Sequence, residues 1–154
     1  DLAIRTQPTE QPGIVTLAER HFEVAAYGAV AYVESLPEQP SPADIDWIGW
    51  APPLEHVSPN RELAEIIPDF EPGFASDNYL IQMRACALGL GAMLFARVDH
   101  PLIDMDHLAE IPLDLGPLES SVYLVCAHNI QYVPRVRAVS KALVKEINAA
   151  ASPS

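Results

Sequence analysis

Positively charged residues are scarce in this chain. It has nine Lys and Arg against 21 Asp and Glu, a formal net charge of −12. A protein that grips a phosphate backbone by itself needs many more cations. Four of the nine fall on one predicted C-terminal helix, where a solvated helix face is favoured over a nucleic-acid patch: Arg135, Arg137, Lys141 and Lys145. The charge balance therefore argues against direct contact with DNA or RNA.

Cysteine is rare as well, with only Cys86 and Cys126. Cys86 falls within a predicted helix and Cys126 within an apolar strand, so both are predicted to be small buried hydrophobic residues. A disulfide framework requires more cysteines in a shorter chain. A reducing cytoplasm is therefore the expected location.

Long apolar runs are also missing. No run reaches membrane-spanning length, and the sequence contains no signal-peptide pattern. Residues 1–5 have the pattern of a strand interior and lack an initiator Met. We therefore expect this sequence to be a fragment of a longer protein.

The most informative stretch is 74–98, FASDNYLIQMRACALGLGAMLFARV. Ser76 and Asp77 are residue types that cap a helix, and apolar residues then recur at spacings of three and four from Leu80. Gly89 is predicted to be a left-handed C-terminal cap. The nearly unbroken apolar run 90–96 is typical of a strand buried on both faces of a parallel sheet. The stretch is predicted to be half of a βαβ unit.

The rest of the chain alternates between short strands and helices. Strands are predicted at 2–4, 14–17, 22–27, 47–50, 70–75 and 120–126, with weaker pairing at 109–115. Helical segments are predicted at 29–34, 42–45, 60–67 and 134–147. This alternation is typical of the α/β class with mostly parallel sheets. Two long extended runs, near 22–28 and 121–127, are candidate crossovers.

Candidate ligand contacts lie where the strand meets the helix, at Ser76, Asp77 and Asn78. Free N–H groups and the helix dipole favour an anion there, so a carboxylate-bearing ligand would suit. The Asp77 carboxylate would oppose an anion unless it is turned away. A simple N-cap explains the same residues equally well.

Arg5 and Thr6 follow the first strand, at the carboxyl end where open α/β sheets bind ligands. The Arg5 guanidinium is able to pair a carboxylate bidentately. An internal salt bridge is an equally good interpretation.

Other motifs carry less chemistry. The acid and His cluster of 99–107 lacks a helical His pair and is interrupted by Pro101, so a solvated loop is favoured over a metal site. Ser120, Ser121 and His128 lack a nucleophile elbow. The two glycines of 89–91 lack the third glycine of a dinucleotide fingerprint and are predicted to serve a helix cap and close packing. No catalytic residue, metal or cofactor is expected.

Several segments together resemble a known family. They are DLAIR at 1–5, AVAYV at 29–33, W-I-x-W at 47–50, ALGLGAML at 87–94, VYLV at 122–125 and VPRVRAV at 133–139. In this order they resemble the effector-binding domain of a LysR-type transcriptional regulator, over nearly the whole chain. One departure is Ala96-Arg97, where a proline often follows the glycine-containing strand.

The resemblance implies a two-lobed fold of the periplasmic-binding-protein type 2, with a ligand cleft between the lobes. Residues 1–19 and 127–150 would belong to lobe one, residues 20–126 to lobe two, and 151–154 to a frayed tail. The first strands of lobe one, the winged helix-turn-helix and the linker helix would precede this chain. Lobe one is therefore expected to be incomplete.

The function that the resemblance implies is effector sensing. A small ligand would change the lobe arrangement, and thereby a dimer or tetramer and the DNA binding of the absent domain. The alternative is a solute-binding protein of a transport system, which shares the same fold. An α/β enzyme is disfavoured because no nucleophile and base pair emerges from the sequence.

Overall fold

The computed structural model describes residues 2–98, 107–116 and 118–149. The chain forms two compact units. Of the described residues, 2–23, 96–98 and 119–149 form the first unit, and 24–95, 107–116 and 118 form the second. Strand β2 (Ile14–Ala29) passes from the first unit into the second between Glu23 and Val24. No helix among the described residues is long and apolar enough to cross a membrane.

The first unit is an antiparallel sheet with one long helix. Strand β7 (Glu119–Ala127) lies between β1 (Leu2–Arg5) and the N-terminal half of β2, with Ile4 opposite Leu124 and His21 opposite Ser121. A 3-10 turn (His128–Ile130) leads to helix α4 (Pro134–Ala149). The buried residues of β7 are 123–126, so they form the core of this sheet.

The prediction of two strands separated by 18–21 is wrong. Those residues continue β2 without a break, and they pair with β7 on one side. The register shifts between Thr16 and Ala18, which marks a bulge at Leu17. The charged side chains of this segment are tolerated because a paired strand of an open sheet can leave them partly exposed to water.

The second unit contains the remaining elements. They are helix α1 (Val30–Glu34), a 3-10 turn (Pro42–Asp44), β3 (Ile48–Trp50), α2 (Asn60–Ile66), β4 (Phe74–Ser76), α3 (Tyr79–Ala87), β5 (Ala92–Ala96, whose last residue belongs to the first unit) and β6 (Leu108–Ile111). Strand β2 is bonded to β5, and its last residues, 26–29, pair with β6. The predicted helical segments are all confirmed, and Ser41 and Asp44 form a capping box at the short turn.

The mixed α/β class is confirmed, but the expectation of mostly parallel pairing does not hold for the described ladders. Strand β7 is antiparallel to both β1 and β2, and β6 is antiparallel to β2. Parallel pairing occurs between β3 and β4 and at the bridge between Trp47 and Ala92. Strand β2 pairs antiparallel with both β6 and β7. The alternation of short strands and helices in the sequence does not predict this pairing.

Strand β5 is buried on both faces, as its apolar run predicted. Its side chains alternate between two hydrophobic clusters, Met93 and Phe95 in one and Ala92 and Leu94 in the other. Helix α3 contributes Met83, Ala85 and Cys86 to the first cluster, and α2 contributes Leu63 to the second. Each cluster therefore lies against one face of β5, with α3 on one side and α2 on the other.

The interpretation of Gly89 and Gly91 as cap and close-packing residues is confirmed. Gly89 has a φ of 78°, and its N–H bonds to the carbonyl of Cys86 while the Leu90 N–H bonds to that of Ala85. Gly91 has a φ of 155°, and a Cβ at this position would overlap the carbonyl oxygen of Asp46. Only glycine therefore permits this approach of β5 to the chain before β3.

Replacing Gly91 with Ala is expected to lower the free energy of unfolding by roughly 3 kcal/mol or more, because steric overlap and an unfavourable φ act together. Gly116 is the matched control, since it also has a positive φ of 69°, but apart from its chain neighbours no atom of the described residues lies within 4 Å of the point that a Cβ would occupy. Gly116→Ala is expected to cost about 1 kcal/mol. Urea unfolding followed by circular dichroism measures both, and equal losses would contradict the steric role of Gly91.

Candidate functional site

The N-terminus of α3 is capped by Asn78, so the prediction that Ser76 and Asp77 supply the cap is wrong. The Asn78 Oδ1 accepts a hydrogen bond of 2.9 Å from the Leu80 N–H. Ser76 acts one step earlier, because its Oγ accepts the Asn78 N–H at 3.1 Å. Sequence alone does not separate three consecutive residues that all favour the cap position.

The Ser76 carbonyl connects the end of β4 to α3 and to the residue after β3. It accepts the buried Gln82 Nε2 at 2.6 Å and the Ala51 N–H at 3.2 Å. The N–H groups of Ile81 and Gln82 bond to the Asn78 carbonyl. Asp77 is exposed, and neither its N–H nor its carboxylate has a partner among the residues that the structure describes. Of these three residues, Asp77 is thus the one that makes no hydrogen bond to another described residue.

Three aromatic side chains, Trp50, Tyr79 and Phe95, pack together next to the N-terminus of α3. The sequence patterns did not predict this cluster. The Tyr79 ring stacks on Trp50 with centroids 6.3 Å apart and meets the edge of Phe95 at 6.5 Å. This packing removes water from the phenol and raises the pKa of Tyr79, with a further rise from the nearby Cys86. Trp47 is 2% exposed, so it belongs to the core, whereas Trp50 is only partly buried.

Trp50 is held in place by Asn60. The Trp50 N–H donates to Asn60 Oδ1 at 2.9 Å, and Asn60 Nδ2 donates to the Trp50 carbonyl at 3.0 Å. Asn60 is 3% exposed, and a Cβ at Gly49 would lie 2.5 Å from its Oδ1. The first residue of α2 therefore pairs with the end of β3 as a further strand would, and Gly49 makes the room for it.

Arg5 and Thr6 lie in the first unit, at and just after the end of β1. Both are exposed, and the Arg5 guanidinium has no hydrogen-bond or salt-bridge partner within the described ranges. An internal salt bridge for Arg5 is therefore not seen there. Ser76, Asp77 and Asn78 belong to the second unit, and the role of all five residues in ligand binding stays a prediction.

Most of the acid and His cluster at 99–107 lies outside the described residues, which include only His107 of that set. Within the described ranges no three His, Cys, Asp or Glu side chains are placed to hold a metal ion. Cys86 and Cys126 are free thiols, both buried, as the sequence predicted.

Ser121 contacts a different histidine from the one considered in the sequence. His21 Nδ1 lies 2.9 Å from Ser121 Oγ, and its Nε2 lies 3.0 Å from the Glu19 carboxylate. The order of serine, histidine and acid is that of a nucleophile with its base, but acyl transfer also needs donors aimed at a developing oxyanion. Here the histidine and the glutamate are about half exposed on a paired strand. We therefore assign this group to cross-strand pairing.

The second unit also contains an open groove with a volume of about 850 Å³. Trp50 and Phe70 contribute apolar surface, and the carboxylates of Glu55, Glu65 and Glu71 line the groove as well. We call this the acidic groove. Its lining Arg61 forms a salt bridge with Glu62, which neutralises that cation. The groove therefore has a local excess of negative charge.

Comparison with known proteins identifies the fold. No protein-family model matches the chain, and no curated protein matches it. The regulatory domain of CrgA, a LysR-type transcriptional regulator from Neisseria meningitidis, matches with a TM-score of 0.71 and 18% identity over 96% of this chain and 75% of that one. A second CrgA structure matches with a TM-score of 0.74 and 17% identity, and this chain covers 52% of it.

Reduced OxyR from N. meningitidis has a TM-score of 0.64 and 15% identity, over 100% of this chain and 73% of that one. The chain thus has the fold of LysR regulatory domains, which is of the periplasmic-binding-protein type 2. A quarter of the CrgA regulatory domain has no counterpart in this chain, which spans about half of the second CrgA structure.

Replacing Asn60 with Ala is expected to lower the free energy of unfolding by about 2 kcal/mol, because both main-chain groups of Trp50 lose their partner. The Trp50 signal in near-ultraviolet circular dichroism should also weaken as its stacking on Tyr79 loosens. Asn129→Ala is the control, since Asn129 is exposed. If Asn60→Ala loses no more stability than Asn129→Ala, the two hydrogen bonds between Asn60 and Trp50 do not hold β3 in place.

Burial raises the pKa of the Cys86 thiol from 9.0 to about 12, partly offset by a hydrogen bond from the Met93 backbone. Between these values the unfolded thiol loses its proton while the folded one keeps it, so stability falls as the pH rises from 9 towards 12. Wild-type protein should therefore lose about 2.6 kcal/mol more between pH 8 and pH 11 than Cys86→Ala. Urea unfolding at both pH values measures this, and parallel declines would refute it.

Proposed function

We propose that this chain is the effector-sensing domain of a LysR-type transcriptional regulator. The observation that carries the proposal is the match to regulatory domains of CrgA, OxyR and MetR over 96–100% of the chain. The segments that resemble this family in sequence are spread over the same length. The net charge of −12 agrees with a domain that leaves DNA contact to another part of the protein.

The proposed ligand is a small molecule with a carboxylate, bound in the cleft that the fold family implies between its lobes. Arg5 and Thr6 would line it from lobe one, and Ser76, Asp77 and Asn78 from lobe two. Support comes from the unpaired Arg5 guanidinium and from the N–H of Asp77, which also lacks a partner within the described residues. Arginine and a helix N-terminus are the groups that recognise carboxylates.

The proposed mechanism is a shift between two lobe arrangements. An effector that binds one arrangement more tightly increases its population, by as much as the two affinities differ. Because the chain would assemble as a dimer or tetramer, the shift would change the spacing of DNA-binding domains outside this chain. No catalytic step, cofactor or membrane contact enters this mechanism, and the protein would act in the cytoplasm.

The regulatory function is tested on the full-length protein. A gel mobility shift with the promoter region of the neighbouring operon should show a sequence-specific complex, and an effector should change its affinity. A full-length protein that binds no promoter DNA would exclude the regulator and favour the transport alternative.

A thermal-shift screen with small carboxylates tests the ligand class, since a ligand that binds only the folded state raises the melting temperature. Arg5→Ala should abolish the ligand-induced rise, and Asp77→Asn should enlarge it by removing a repelling charge. Each rise is measured against the same variant without ligand. Arg135→Ala, which removes another exposed arginine, should leave it unchanged. An unaltered rise in Arg5→Ala would exclude Arg5 from the site.

A further inference from the structure

Helix α3 contains a buried glutamine whose amide oxygen has no partner. Gln82 is 1% exposed, and its Nε2 donates to the Ser76 carbonyl at 2.6 Å. Only the nitrogen of an amide can donate to a carbonyl, so this bond fixes which amide atom is which. The Gln82 Oε1 has no donor among the residues that the structure describes, and it keeps contact with solvent. It is therefore an open acceptor on an otherwise buried side chain.

This acceptor lies at the carboxyl ends of the parallel strands β3 and β4. Ser76 is the last residue of β4 and lies opposite Trp50, the last residue of β3. The two polar atoms of an amide are about 2.2 Å apart, so the Gln82 Oε1 lies at most about 5 Å from the Ser76 carbonyl oxygen. Open α/β sheets bind ligands outside the carboxyl ends of their strands. The acceptor is thus placed where a ligand is expected.

Free donors lie at the same end of α3. The N–H groups of Asp77 and Tyr79 have no acceptor within the described ranges, and the Ser76 hydroxyl accepts from Asn78 without donating its own proton. The first N–H groups of a helix and its dipole favour an anion, so a carboxylate fits these donors. A carboxylate alone leaves the Gln82 Oε1 unpaired, because both groups are acceptors.

The surroundings of the Gln82 Oε1 favour a donor with a positive charge. The neighbouring Asp77 carboxylate is exposed and lacks a partner among the described residues. The Tyr79 ring, in a residue that is 39% exposed, stacks on Trp50. Carboxylates and aromatic faces both attract ammonium groups. The second unit as a whole has 14 Asp and Glu against two Lys and Arg, a net charge of −12, so its field also favours a cation.

We infer that the effector is an α-amino acid, whose carboxylate meets the free N–H groups of α3 while its ammonium group donates to the Gln82 Oε1 beside Asp77. The inference rests on the proposed function and narrows its ligand class from a carboxylate to a zwitterion. The two charges must be close together, as in an α-amino acid, because donors and acceptor lie at one end of α3. Asp77 repels a plain carboxylate but attracts the ammonium group of a zwitterion.

Matched pairs of ligands test the inference on this chain. A thermal-shift screen compares the common L-amino acids with their deamino analogues, such as L-leucine with 4-methylpentanoate and L-phenylalanine with 3-phenylpropanoate. At least one amino acid should raise the melting temperature. Isothermal titration calorimetry should then show that it binds about tenfold or more tightly than its deamino analogue, which lacks the charge-assisted hydrogen bond.

Gln82→Met keeps the length of the side chain and removes the acceptor. It should raise the Kd of the amino acid about tenfold and leave the Kd of the deamino analogue unchanged. Gln131→Met is the matched control, because the Gln131 Nε2 also donates to a main-chain carbonyl, that of His128 at 3.1 Å, but belongs to the first unit. This variant should bind both ligands like wild type. Circular dichroism checks that each variant is folded.

Asp77→Asn tests the charge without altering a buried side chain, so it applies even if Gln82→Met does not fold. It should raise the Kd of the amino acid about threefold, because the ammonium group loses an attracting charge. It should lower the Kd of the deamino analogue, because a plain carboxylate loses a repelling one. These opposite signs separate a ligand contact from a general change of the fold.

Four results would overturn the inference. They are amino acids that bind no more tightly than their deamino analogues, a hydroxy acid that binds as tightly as the amino acid of the same skeleton, wild-type affinity in Gln82→Met, and equal signs for both ligands in Asp77→Asn. If plain carboxylates bind and amino acids do not, only the ligand class is wrong and effector sensing stands. If neither kind binds, the inference fails, and promoter binding by the full-length protein decides the proposed function separately.

Discussion

The approach of β5 to the chain before β3 is fixed by a hydrogen bond of 2.9 Å from the Ala92 N–H to the Asp46 carbonyl. It joins the start of β5 to the residue just before Trp47, and it forms only because Gly91 has no side chain to occupy that space. With β5 fixed there, β3 follows alongside and pairs with β4. From β4 the chain continues into α3 and then, through Gly89, into β5. The hydrogen bond from Ala92 to Asp46 thus connects the end of this β4–α3–β5 segment back to the residue before β3.

Asn60 fixes the other end of β3. A buried amide that pairs with both main-chain groups of Trp50 leaves neither group to be satisfied by water. Trp50 in turn supports Tyr79, the first residue of α3. The corner at Ser76, Asp77 and Asn78 is therefore fixed by the packing on each side of it, and Asp77, which has no such task, is left exposed.

Local patterns in the sequence predict those features that depend on near neighbours. Burial of β5 on both faces follows from its apolar run, and Gly89 and Ser41 occupy positions that caps require. Other features depend on residues that are distant in sequence. They are the pairing of Asn60 with Trp50, the contact of His21 with Ser121 and the unbroken pairing of β2 with β7 through 18–21. Such contacts are set by tertiary packing, which overrides local preference, so no spacing in the sequence predicts them.

Fold and charge constrain function in different ways. At 13–18% identity the similarity to LysR regulatory domains fixes the architecture, whereas the ligand depends on individual side chains. Charge adds what the fold leaves open, because the second unit carries a net charge of −12 whereas the first unit is neutral.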